Sequence, residues 1–127
     1  PIVEATRVNI MGQTKKKTSR TADRMVTFEI TTFRPLPVGQ QVFISGNIDV
    51  LGHWKADGFP LTRLDDNLWS GYAVVPDNTP VEFKITRGTW TSEEAESNRV
   101  ARTENLTLPA RGTTTFKHIV NGWIDRA

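Results

Sequence analysis

Gln41 to Trp90, QVFISGNIDVLGHWKADGFPLTRLDDNLWSGYAVVPDNTPVEFKITRGTW, decides the fold. Leu68–Val75 alternates Trp69, Gly71, Ala73 and Val75 with Leu68, Ser70, Tyr72 and Val74. Val81–Ile85 puts Val81, Phe83 and Ile85 on one face and Glu82 and Lys84 on the other. A period of two marks a half-buried strand, because successive side chains leave a pleated backbone on opposite sides. Gln41–Ser45 carries Val42, Phe43 and Ile44 in a row, which predicts a central strand ended by Gly46-Asn47, and Pro60–Leu64 alternates weakly. Asp65-Asp66-Asn67, Pro76–Pro80 and Arg87-Gly88 separate these runs with turn-forming residues. Asp49–Pro60 is a long polar connection carrying Gly52-His53-Trp54 and Asp57-Gly58.

Upstream, Met25–Phe33 alternates Val26, Phe28 and Ile30 against Thr27, Glu29 and Thr31, and Arg34–Gly39 is a proline-rich turn. Downstream, Glu93–Glu96 has helical propensity, but the flanking Thr91-Ser92 and Ser97-Asn98 favour a hairpin tip. Arg102–Leu108 and Thr113–Val120 read as the last strands, with Pro109–Gly112 turning between them. About seven or eight short strands, regular turns and no credible helix predict an all-β, antiparallel, immunoglobulin-like β-sandwich. No Cys…Trp…Cys pattern is present, so an antibody-type domain is not expected.

A chain of 127 residues fits one sandwich without a disulfide or metal staple. Cysteine is absent, which removes a thiol nucleophile and cysteine-based zinc. No apolar run approaches the ~20 residues of a membrane span, and no signal-peptide core is present. The chain starts at Pro1 rather than methionine, which reads as a mature or excised piece of something longer. The net charge of +2 is unevenly placed. Residues 1–24 carry Arg7, Lys15, Lys16, Lys17, Arg20 and Arg24 against Glu4 and Asp23, while the remainder is mildly acidic. We read 1–24 as a basic extension or linker, with Glu4–Met11 a possible short strand, and 25–127 as the sandwich. The polar composition of the basic run reads as a solvated linker rather than a nucleic-acid or membrane patch, and no aromatic residue lies inside it to stack on bases.

Catalytic groups are sparse. His53 falls on a predicted loop and His118 on a predicted strand, and no zinc-protease helix, nucleophile elbow or phosphate-cradling loop occurs. Glu93, Glu94 and Glu96 supply carboxylates for acid–base hydrolysis in principle, but a solvated hairpin does not split their pKa values. Asp65-Asp66-Asn67 is an ordinary turn rather than a cation loop. Binding is the stronger reading. Trp54 and Trp90 lie on loops, with Lys84 on the strand leading to the second, and a flat indole covers the C–H face of a sugar ring at little entropic cost. The alternative is that both indoles fill the ends of the sandwich, leaving a protein-interaction or regulatory module with no sugar site.

The motifs VFISGNIDVLGHW and LWSGYAVVPDNTPVEFKI, then a tryptophan followed by glutamate and asparagine, resemble the starch-binding domains of carbohydrate-binding module family 20. They are also similar to the glycogen-binding modules of family 48, and the likeness runs from about Val26 to Leu108. The resemblance implies a non-catalytic module that stacks α-glucan (starch, glycogen or maltooligosaccharide). Its carbohydrate-binding residues would be Trp54, Lys84, Trp90, Glu94 and Asn98, with Trp69 in the core. No cofactor or metal is implied. Where the family's second site uses tyrosines, this chain has Val38 and Thr62 or its neighbours. The form F-K-x-T-R-G-[ST]-W resembles modules fused to bacterial esterase-like hydrolases. A monomeric, extracellular or periplasmic module serving a catalytic domain in the same or a partner chain is the resulting expectation, with weak affinity of about 10 µM to 1 mM.

Overall fold

The computed structural model describes residues 22–126. The possible strand Glu4–Met11 and the basic extension up to residue 21 lie outside the described residues. Strand β1 (Asp23–Thr32) follows the alternation of its sequence: Arg24, Val26, Phe28, Ile30 and Thr32 are buried, and the residues between them are not. Arg24 is 5% exposed, lies 3.8 Å from the Asp77 carboxylate and donates to the carbonyls of Gly112 and Thr79. It belongs to the folded body.

The remaining strands are β2 (Phe43–Gly46), β3 (Phe59–Pro60), β4 (Thr62–Asp65), β5 (Leu68–Pro76), β6 (Val81–Thr86), β7 (Ala95–Ser97), β8 (Val100–Ala101), β9 (Leu106–Leu108) and β10 (Thr114–Val120). They form one sheet in the order β10-β1-β5-β4, a second in the order β3-β2-β6-β9, and the separate hairpin β7-β8. Among the described residues there are ten strands rather than seven or eight, because β3 and β8 are two-residue pairings with no sequence period of their own. Only Leu106–Leu108 of the expected strand 102–108 joins the ladder, opposite Val81–Phe83.

The two larger sheets pack face to face as a β-sandwich. Phe28 of β1 meets Phe83 of β6 edge-on at 5.3 Å between centroids, and Phe83 meets Phe116 of β10 at 4.9 Å. Val26, Ile30, Ile44, Trp69, Val75 and Ile85 complete the middle of this core. Trp69 is 1% exposed, with the Arg63 guanidinium 5.2 Å above its ring. One strand pair departs from the antiparallel rule: β1 and β10 run parallel, Val26 opposite Thr114 through Thr32 opposite Val120. A parallel pair needs a crossover, and the rest of the domain is that crossover.

The helix-or-hairpin ambiguity after Trp90 resolves to a hairpin. β7 and β8 meet through a tip at Asn98 and Arg99, both with left-handed φ (45° and 64°). A two-residue tip with positive φ twists the right way for its strands. The chain end returns beneath this hairpin: Ala95 donates to the Gly122 carbonyl, Ile124 donates to that of Glu93, and Trp123 is buried with Arg87 5.3 Å over its ring.

Candidate carbohydrate-binding groove

Two loops build the site. The first leaves β2 at Gly46, makes a 3₁₀ turn at Asp49–Leu51 and plunges Leu51 into the core with no exposed surface. Gly52, His53 and Trp54 then take left-handed φ values of 81°, 51° and 70°. Consecutive L residues rarely adopt this region, so the conformation needs outside support. Amide bonds supply it, from His53 to the Ile48 carbonyl (3.1 Å) and from Trp54 to the Gly46 carbonyl (2.8 Å). The limbs of the loop also touch at Gly52 and Gly58, where a Cβ on Gly52 would sit 2.4 Å from the Gly58 Cα. Trp54 ends up half-buried on a braced turn.

The second loop leaves β6 at Thr86 and reaches a 3₁₀ turn at Trp90–Ser92. Thr89 and Ser92 cap this turn reciprocally, the hydroxyls 2.9 Å apart and the Thr89 amide donating to Ser92 Oγ. The turn presents Trp90 at 37% exposure.

Trp54 and Trp90 line one open groove of about 600 Å³, together with Glu82, Lys84, Glu93 and Asn105. Glu82 and Lys84 share the outer face of β6, as the alternation of that strand requires. Lys84 Nζ stands 3.7 Å from Glu93 Oε1 and donates to the Arg102 carbonyl at 3.5 Å. Glu93 is 8% exposed, and among the described residues its buried Oε1 has the Lys84 ammonium beside it but no hydrogen bond. Asn105 Nδ2 donates to Glu82 Oε1 at 2.9 Å along the rim. The groove therefore offers two aromatic faces, an ammonium held beside a buried carboxylate, and an amide on the rim, groups that match a ring with an apolar face and a hydroxyl rim. Among the described residues no group of three or more His, Cys, Asp or Glu could hold a metal ion.

Of the five residues expected from sequence, the groove gathers Trp54, Lys84 and Trp90 and does not include Glu94 or Asn98. Glu94 is 4% exposed and faces away, its Oε2 2.6 Å from His118 Nε2 and its Oε1 3.7 Å from Arg102 Nε. Asn98 sits at the hairpin tip, lining a separate hollow with Trp123 and Arg126. The first displacement is one of register. Residues 93 and 94 are extended, with Glu93 bridged to Thr86 and Glu94 to Trp123, so their side chains take opposite sides. Asn105 was missed because it reaches the groove through the pairing of β9 with β6, which leaves no local signal.

This placement gives Glu94 a structural role. Glu94→Ala would leave His118 and Arg102 without their carboxylate and is expected to cost about 2–3 kcal/mol in urea unfolding. Glycan affinity should stay within about twofold, since no groove residue loses a partner. A large affinity loss without destabilisation would count against that role.

A family model described as a starch binding domain matches residues 24–117. An α-amylase of Niallia circulans is 29% identical over 103 residues, which is 80% of this chain but 8% of that enzyme. The chain thus spans less than a tenth of the curated relative it matches. Among solved structures, the glycoside hydrolase family 15 glucoamylase from Hypocrea jecorina aligns with a TM-score of 0.61 at 19% identity, covering 88% of this chain and 19% of that one. The family 20 carbohydrate-binding module of the maltotetraose-forming amylase from Pseudomonas saccharophila aligns at 0.50 and 22% identity, covering 73% of this chain and 98% of that one. At such identities the structural likeness speaks to the fold.

Proposed function

The chain belongs to the starch-binding domain family, and on that premise we propose that it captures α-glucan by stacking it on Trp54 and Trp90. The module itself is non-catalytic and binds carbohydrate of the starch type. In the proposed complex one glucosyl face lies on each indole. Lys84, held by the Glu93 carboxylate behind it, donates to ring hydroxyls, and the Asn105–Glu82 pair reads the next unit along the rim. The observation that carries this reading is the convergence of two loop tryptophans on one open groove whose floor carries the Lys84 ammonium.

The biological use we propose is targeting. A weak site tethered to a catalytic domain raises the local concentration of polymer at that domain without any chemistry of its own. The α-amylase and glucoamylase among the similar proteins support such an attachment. Because their names point to enzymes of polymeric starch, an extracellular or periplasmic setting fits, with the module acting as a monomer.

Titration with β-cyclodextrin or maltoheptaose, followed by tryptophan fluorescence and calorimetry, tests the proposal. Saturable binding is expected; a folded protein with no response to either sugar would sink it. The two asparagines sharpen the test. Asn105→Ala is expected to weaken binding about fivefold by removing a rim donor, while Asn98→Ala should change it less than about twofold. The reverse ranking would return the polar role to the hairpin tip.

A further inference from the structure

We infer that Thr86 is a positioning residue for the two groove tryptophans, its single buried hydroxyl clasping the Trp54 loop to the Trp90 loop. Thr86 closes β6 on the same face as Glu82 and Lys84, at the end of the groove floor where both loops converge, and has no exposed surface. Its Oγ1 donates to the Ala56 carbonyl at 2.6 Å and accepts from the Gly88 amide at 2.9 Å. Ala56 lies two residues beyond Trp54, and Gly88 two residues before Trp90. A hydroxyl carries one proton and two lone pairs, so one side chain can serve as donor to the first loop and acceptor for the second. No other hydrogen bond among the described residues joins residues 52–58 to 86–92.

The anchor beneath this clasp is rigid. The Thr86 backbone pairs with Phe43 of β2 on one side and bridges to Glu93 on the other. The separation of the indoles is thereby referred to the sheet rather than to either loop alone. Two faces that must be engaged by one sugar chain gain affinity only while both are in place. Apparent affinity falls in proportion to the fraction of molecules that hold them so. This inference rests on the stacking reading above for its binding consequence, but the clasp itself can be tested without ligand.

Thr86→Val keeps the volume of the side chain and removes both bonds. The Kd for β-cyclodextrin, measured well below the melting temperature, is expected to rise about tenfold, and Thr86→Ser should restore it to within about twofold. By amide hydrogen exchange, Gly88 and Trp54 in the unliganded Val variant should lose protection about tenfold, while Ile44 in the core keeps its own. A Val variant that melts lower yet retains both wild-type affinity and Gly88 protection would overturn the clasp. So would a Ser variant as weak as the Val one. If the wild type binds no β-cyclodextrin, the glucan reading fails, and the exchange of Trp54 in the Val variant decides whether Thr86 holds the two loops together, unchanged Trp54 protection overturning the clasp.

Discussion

Trp90→Ala is expected to weaken β-cyclodextrin binding about 30-fold, on the estimate that a stacked sugar covers about 80 Å² of indole face at ~25 cal/mol/Å². The fold should survive. Trp90 is 37% exposed on a capped 3₁₀ turn and lies outside the buried core cluster, so truncation opens no cavity. Trp54→Ala should lose a similar factor in affinity and some stability as well, because that ring is half-buried against its loop. Trp69 and Trp123 are 1% and 4% exposed, so a ligand-induced fluorescence change in the wild type reports on the groove pair. Calorimetry of the two variants beside circular dichroism separates lost binding from lost folding. Wild-type affinity in a folded Trp90→Ala protein would remove the second stacking face from the account.

The other large effect concerns the backbone under Trp54. Gly52→Ala is expected to cost about 3 kcal/mol in urea unfolding and to abolish measurable β-cyclodextrin binding, because two penalties add there. At φ 81° an L side chain meets the left-handed cost, and its Cβ would stand 2.4 Å from the Gly58 Cα. That neighbour is main chain and cannot rotate away. The limbs of the loop must part, which shifts Trp54 and strains the seat of fully buried Leu51. Gly39→Ala is the control. Gly39 has φ 93° but nothing within 4 Å of its would-be Cβ, so only the conformational cost of about 1 kcal/mol applies. If the two variants prove equally stable, the loop relieves the contact freely and does not hold Trp54 as described.

Much of this protein was legible without coordinates wherever alternation carried the signal. Val26-Phe28-Ile30, Trp69-Ala73-Val75 and Val81-Phe83-Ile85 face inward as their period required, since burying one side of a pleated strand leaves a trace in every second residue. Trp54 and Trp90 as loop residues followed from the same contrast between periodic runs and turn-rich connections, and Trp69 as core was implied by the family resemblance. The family motifs pointed to the starch-binding type, which the family match bears out.

What the tertiary structure alone decided depends on pairings between distant segments, which have no sequence period. The bridges of Glu93 to Thr86 and of Glu94 to Trp123 settle which of two adjacent glutamates faces the groove and which meets His118. Pairing of β9 with β6 carries Asn105 to the rim, and the parallel pairing of β10 with β1 adds the edge strand of its sheet. A threonine at the end of an alternating strand reads as an ordinary β-branched residue. Only when two loops fold over it does its hydroxyl find a carbonyl on one side and an amide on the other. Alternation is a local consequence of burial and survives in the chain, whereas register and loop convergence arise from packing and exist only in the folded molecule.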